Sequence, residues 1–306
     1  MTPSVTTRPL DSERDVRLVR DLLVATHPLV PAGWNWEVRR WDGTVFHNAD
    51  PRWEAHVRGK VQLWEAAGAL VGAVTTEGGG DAHLQLHPGF RHLEEEMVAW
   101  AEAHLARQVA DGRLLSIFVF DDDADRQAVL SSRGYERGAA GGVTRRQRMA
   151  EGSLPPRPVL PAPYVLRTVR ADDLEDCGRV ADLLNAAFGR TFHSAVEFQN
   201  FTRMAPCYRA DLDLVAAAPD GTLAAYVGIA WDDLNRHATF EPVCAHPDHR
   251  RHGLARALME EGLHRLASLG AVDVTVETGD QLAANELYDS LGFEEVRRGQ
   301  WWQRTF

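Results

Sequence analysis

The stretch Ala245-His246-Pro247-Asp248-His249-Arg250-Arg251-His252-Gly253-Leu254-Ala255 joins an apolar, strand-like run to an amphipathic helical pattern. A glycine-bearing loop that feeds a helix start is a place where backbone N–H groups converge on an anion. Arg250 and Arg251 add charge-assisted donors at the same point. Cations are otherwise unfavourable there, because the helix dipole is positive at its N-terminus. The stretch therefore reads as a pocket for the pyrophosphate of a nucleotide-like group.

The flanking pattern gives the fold class. Tyr164–Val169, Asp213–Ala218, Leu223–Asp232, Ala238–Ala245, Val272–Glu277, Phe293–Arg297 and Gln300–Thr305 read as strands. Asp173–Phe188, Gly253–Leu269 and Ala283–Leu291 read as helices, the last two closed by Gly270 and Gly292. The expectation is a mixed α/β fold, with a mostly antiparallel sheet flanked by helices.

Residues 151–163 hold five prolines and no helical or strand period, so they read as an extended linker. The halves on either side, 1–150 and 164–306, look like a diverged tandem repeat. Arg8 and Arg167 lie 159 residues apart, as do Arg91 and Arg250, and Gly134 and Gly292 lie 158 apart. Three anchors in one register point to duplication.

Composition narrows the function. With 44% hydrophobic and 25% charged residues the chain is globular, and a net charge of −11 argues against a nucleic-acid partner. Cys177, Cys207 and Cys244 form no C-x-x-C pair, and no H-x-x-x-H pair marks a helix, so neither disulfides nor a metal are expected. Met1–Pro9 lacks an apolar core of signal-peptide length, and no run is long enough to span a bilayer. A cytoplasmic protein without a membrane partner is the expectation.

With these motifs in place, residues 164–306 resemble a GNAT-family N-acetyltransferase. The family's Arg/Gln-x-x-Gly-x-Gly/Ala motif is matched by Arg250-Arg251-His252-Gly253-Leu254-Ala255. Its later Leu-Tyr and Leu-Gly-Phe signature is matched by Leu287-Tyr288-Asp289-Ser290-Leu291-Gly292-Phe293. The resemblance implies a tandem GNAT (acyl-CoA N-acyltransferase) fold, with acetyl-CoA lying in an opening between Ala238–Ala245 and Val272–Glu277. It implies transfer of an acetyl group to the primary amine of a small-molecule acceptor, or, as a rival, a non-catalytic acyl-CoA-binding sensor. Pro242 cannot donate a ladder bond and so favours a splayed or bulged strand.

The resemblance assigns the pantetheine arm to the backbone of Val243, Cys244 and Ala245. It assigns the pyrophosphate to Arg250, Arg251, His252, Gly253, Leu254 and Ala255, with Gly253 free of a side chain that would strike the phosphates. Tyr288 is the expected general acid and Glu241, through water, the expected base. Asn285 is a candidate for the pantetheine arm. The Phe306 carboxylate and His193 are further candidate bases.

The first half departs from the pattern. Glu94 stands where Gly253 does, Glu96 where Ala255 does, and Leu130 where Tyr288 does. A run of carboxylates facing a pyrophosphate is repulsive, so this half is expected to have lost cofactor binding and catalysis. It carries six of the nine tryptophans; those between Trp34 and Trp41 are candidates for a pocket wall, with core or domain interface the commoner place for them.

Overall fold

A computed structural model describes residues 4–149, 154–279 and 281–306. The first half runs β1 (Val5–Pro9), α1 (Glu13–Thr26), α2 (Val38–Phe46), α3 (Trp53–Val57), β2 (Gln62–Ala66), β3 (Ala69–Thr75), β4 (Asp81–Leu86), α4 (Glu94–His104), β5 (Arg107–Val109), β6 (Gly112–Phe120), α5 (Ala124–Ser132) and β7 (Glu136–Arg148). The second half runs β8 (Val165–Thr168), α6 (Leu174–Phe188), α7 (Ala195–Met204), β9 (Asp213–Ala217), β10 (Leu223–Asp232), β11 (His237–Ala245), α8 (Leu254–Ser268), β12 (Asp273–Thr278), α9 (Leu282–Ser290) and β13 (Glu294–Thr305). The proline-rich linker is irregular from Leu154 onward and is pinned to α8 where His264 Nε2 meets the Pro155 carbonyl at 2.8 Å. Its residues 151–153 lie outside the described residues.

The repeat is visible in local chemistry. Arg8 on β1 pairs with Asp15 of α1 at 2.7 Å, and Arg167 on β8 pairs with Asp176 of α6 at 2.7 Å. His87 Nδ1 accepts the Gly89 N–H, and His246 Nδ1 accepts the Asp248 N–H. Gly134 and Gly292 take φ of +80° and +84° in matching turns. In those turns Tyr135 donates its N–H to the Leu130 carbonyl, and Phe293 donates to the Tyr288 carbonyl. The last pair places Leu130 and Tyr288 at equivalent positions.

The strands form one sheet in the order β1-β2-β3-β4-β6-β13-β7-β12-β11-β10-β9-β8, with β5 on the β6 edge. Every neighbouring pair is antiparallel except β4/β6 and β11/β12, one parallel pair in each half. The order reveals an exchange. β13, the last strand of the second half, inserts between β6 and β7 of the first, and β7 pairs with β12 of the second.

β13 is a correction to the two short strands expected at 293–297 and 300–305. It is continuous because register shifts at Glu295/Arg297, Gly299/Gln300 and Gln300/Trp302 absorb the interruption. Gly299 is required there, since a Cβ would lie 2.6 Å from Phe118 and 2.8 Å from the Val119 carbonyl. Helix α7 was not expected. Its signal is a capping box, in which the Ser194 side chain accepts the Glu197 N–H and the Glu197 side chain accepts the Ser194 N–H.

β10 is buried along its whole length. Ala225, Val227, Ile229 and Trp231 face a core with Leu254, Leu258 and Leu263 of α8, while Tyr226 faces the α6 side with Val180 and Leu184. This period-two split fixes α8, and so the loop before it, over the C-terminal end of β11. No helix among the described residues is long and apolar enough to cross a membrane.

Candidate active site

The loop before α8 has the backbone its sequence requires. Arg251 takes φ +68° and Gly253 φ +73°, the left-handed region that glycine adopts freely. A Cβ built on Gly253 would meet nothing within 4 Å, so the space in front of it is open. α8 starts with no side-chain cap, and its first N–H to find a carbonyl is that of Ala257 on Gly253. Among the described residues, the N–H groups of Arg251, His252, Gly253, Leu254 and Ala255 donate to no acceptor. Arg251 is exposed, and its guanidinium has no partner among the described residues. Arg250 is engaged, with Nε on the Ala245 carbonyl at 3.4 Å and Nη2 on the Ala187 carbonyl at 3.1 Å. A row of bare amides beside a free cation suits a pyrophosphate.

The parallel strands beside this loop are splayed. β11 and β12 pair only at His237↔Asp273, Ala238↔Val274 and Thr239↔Thr275. Beyond Thr239 the edge of β11 facing β12 has no ladder partner, while its other edge stays paired to β10 through Val243, Cys244 and Ala245. The shift between Val227 and Ile229 leaves Gly228 opposite Glu241-Pro242. A Cβ on Gly228 would come within 2.9 Å of the Glu241 carbonyl. The irregularity expected from Pro242 is thus a bulge.

Tyr288 of α9 is buried among Leu258, Val276 and Phe293. Its hydroxyl has no hydrogen-bond partner among the described residues. Burial, with Cys244 nearby, pushes it up to about 12, so it is a neutral proton donor at ordinary pH. Glu241 is exposed on β11 at the mouth of the splay, and its carbonyl accepts from Arg39 Nε at 3.4 Å.

Three other candidates have different surroundings. Both ends of the Asn285 amide are taken, Oδ1 by Arg145 Nε and Nδ2 by the Gly279 carbonyl, each at 3.0 Å; it fixes the β12–α9 turn. Phe306 exchanges backbone hydrogen bonds with Arg113 at the start of β6, because the strand exchange carries the chain end into the first half. His193 Nδ1 meets Glu197 Oε1 at 3.1 Å and its ring stacks on His47, so its partners lie on α2 and α7 rather than around Tyr288.

The structure also gathers residues the sequence did not single out. A cavity of about 370 Å³ is walled by Trp34, Trp36, Phe118, Phe120 and Trp301, with Arg40, His83, Arg126 and Glu277 among its polar lining. Trp34 and Trp36, both largely buried, line this cavity. Trp41 does not, being fully buried with Nε1 on the Val16 carbonyl. Glu277 lies on β12 just past the last β11 partner, so it borders both the splay and the cavity. Its nearest cation is Arg40 at 3.9 Å, and Arg40 is already held by Glu77 at 2.8 Å. The Glu277 side chain is 43% accessible and lines the cavity. Desolvation pushes the group up to about 7 against the pull of Arg40.

The equivalent loop of the first half is closed. It continues as a short 3-10 turn over Pro88–Leu93 directly into α4. Glu94 is 1% exposed, with Arg126 and Arg91 each at 3.0 Å. Arg91, the counterpart of Arg250, also bonds Asp123, which accepts from Trp34 Nε1 at 2.8 Å. Glu96 accepts from Trp64 Nε1 at 3.0 Å. Of the carboxylates expected to repel a pyrophosphate, Glu94 is neutralised internally by the arginines, and Glu96 is held by the Trp64 indole.

Three His–acid groups could hold a metal by proximity, namely His27/Glu37/His237, His47/His193/Glu197 and Glu77/Asp81/His83. The first joins the halves, with His237 bonding Asp273 at 2.9 Å and lying 3.2 Å from Glu37. Burial acts to lower His237, but the two carboxylates prevail and raise it to about 10.

A parallel strand pair that parts beside a helix start, present in each half and glycine-started in the second, defines a tandem acyl-CoA acyltransferase-type fold. Residues 179–293 match the model of the acetyltransferase (GNAT) family. The match lies in the second half, and the whole chain has a tandem GNAT fold. A GCN5-related N-acetyltransferase from Sphaerobacter thermophilus is 18% identical, with a TM-score of 0.62 over 100% of this chain and 97% of that one. A tandem GNAT protein of the clavulanic acid biosynthesis pathway is 19% identical, with a TM-score of 0.65 over 99% and 98%. A GNAT-family acetyltransferase from Colwellia psychrerythraea is 14% identical, with a TM-score of 0.60 over 97% and 99%. No curated protein matches the sequence.

Proposed function

We propose that the second half transfers an acetyl group from acetyl-CoA to a primary amine of a small molecule, and that the first half binds no cofactor. The observation that carries this reading is the contrast between two equivalent loops. One presents bare amides from Arg251 to Ala255, and the other fills the same place with the buried Glu94–Arg126 pair. Residues 1–150 then form the silent repeat and 164–306 the catalytic one.

When bound, acetyl-CoA supplies a thioester as the acyl donor. The amides of the Arg251–Ala255 loop and the Arg251 guanidinium hold the pyrophosphate, and the free edge of Val243–Ala245 orients the pantetheine amides. Tyr288 protonates the departing sulfur, for which its neutral hydroxyl is poised. Glu241, reached through water, takes a proton from the acceptor nitrogen. Asn285 positions α9 through Arg145 and Gly279.

The test is Tyr288→Phe, with acetylation of an amine panel and calorimetry of acetyl-CoA. A fall in kcat of about 10²-fold or more, with acetyl-CoA affinity nearly unchanged, supports the assignment. Tight acetyl-CoA binding by the unaltered protein without turnover on any amine would instead make it an acyl-CoA sensor.

A further inference from the structure

Resting on the acyl-transfer reading above, we infer that the aromatic cavity is the acceptor site, that it takes a compact primary amine built on a ring, and that Glu277 receives the amine. Five aromatic side chains wall a space of about 370 Å³, which suits a small ligand with a flat apolar body. Glu277 is the one carboxylate among the described residues lining it. The two lining arginines are already neutralised, Arg40 by Glu77 and Arg126 by Glu94. An anionic ligand would therefore compete with carboxylates in place, whereas an ammonium supplies the close partner that Glu277 lacks.

A second observation points to a ligand. Trp36 is 7% exposed, lines the cavity, and its indole N–H has no acceptor among the described residues. Its ring lies against Arg40 and His83, each at 4.8 Å. A buried N–H without a partner is costly, and a ligand that shifts the Trp36 ring toward an acceptor relieves that cost.

The cavity meets the reaction centre at Glu277. Adjacent residues of α2 tie the two together, with Arg39 on the Glu241 carbonyl and Arg40 beside Glu277. The protons balance as follows. Glu277 takes one from the bound ammonium, freeing the lone pair. The N–C bond forms as the C–S bond of the thioester breaks. The second nitrogen proton passes through water to Glu241, and the sulfur takes one from Tyr288, which water restores. One proton is released for each amide and thiol formed.

The experiment uses the full chain with 2-phenylethylamine as probe, read by tryptophan fluorescence. Saturable quenching is expected, weakened about 10-fold or more by Glu277→Gln, which removes one charge-assisted contact. Glu277→Asp retains the charge and is expected to stay within about 3-fold of wild type. Absence of saturable quenching, equal binding by Glu277→Gln, or tighter binding of phenylacetate than of the amine each overturns the assignment. Acetyl-CoA calorimetry on the same proteins separates the two readings. If acetyl-CoA binds normally and the amine ignores Glu277, only the acceptor site is wrong. If acetyl-CoA does not bind, the acyl-transfer reading beneath it has failed.

Discussion

Replacing Gly253 by alanine separates the two things this glycine does. At φ +73° a non-glycine residue costs about 1–2 kcal/mol. No clash adds to that, because the built Cβ meets nothing within 4 Å. The expected loss of thermal stability is therefore only a few degrees. Binding should suffer far more, because the new methyl group occupies the space that the bare amides face. Losing two charge-assisted N–H contacts to phosphate, at about 1.5–3 kcal/mol each, amounts to roughly 10²–10⁴-fold in affinity. Gly270, just past the other end of α8, is the internal control. It sits at φ +77° and its Cβ also meets nothing within 4 Å, so Gly270→Ala carries the same strain without touching the loop. Calorimetric titration of CoA, paired with melting curves, reads both terms. Wild-type affinity in Gly253→Ala, or an equal loss in Gly270→Ala, would refute the cradle.

Three further outcomes are expected. Calorimetry should give one acetyl-CoA per chain; two would mean that the Glu94–Arg126 pair opens. His237, raised to about 10 from an ordinary 6.5 by Glu37 and Asp273, should stabilise the fold fully below about pH 6.5. That contribution should fade as pH rises through about 10, so the gap in melting temperature between wild type and His237→Gln should narrow on the alkaline side; a gap that widens instead counts against the ion pair. Finally, residues 164–306 expressed alone should not fold cooperatively, because β13 loses both neighbours and β12 loses β7. A sharp melting transition for that fragment would show the exchange to be dispensable.

The backbone of the loop before α8 was legible in part because local demands determine it. Gly253, the helix start and Pro242 each leave a mark within a few residues; the structure has the bulge expected at Pro242, and a left-handed loop and a helix without a side-chain cap at the other two. The repeat was legible for the same reason. Arg8 with Asp15, His87 and Gly134 each perform one local task, and Arg167 with Asp176, His246 and Gly292 repeat it. Glu277 and Arg40 were not legible. They are separated by more than two hundred residues, and neither belongs to a local motif.

The strand exchange explains why. A strand's period states which face is buried but not which neighbour it joins. Phe293–Arg297 and Gln300–Thr305 read equally well as a hairpin arm of their own half. What decides the partner is the whole sheet: β6 and β7 leave between them a gap of one strand width, and β13 fills it with Trp301 and Trp302 opposite Phe118 and Ile117. That insertion sets Trp301 into the cavity wall beside residues of the first half. Pairing of β7 with β12 then aligns Glu277 with Thr144 and brings it to the same wall. The Glu94–Arg126 pair closes the first half's counterpart of the Arg251–Ala255 loop, while the aromatic cavity stays open. In the proposed reading, the second half keeps the donor site, both halves wall the acceptor pocket, and the exchanged strands hold the two in register.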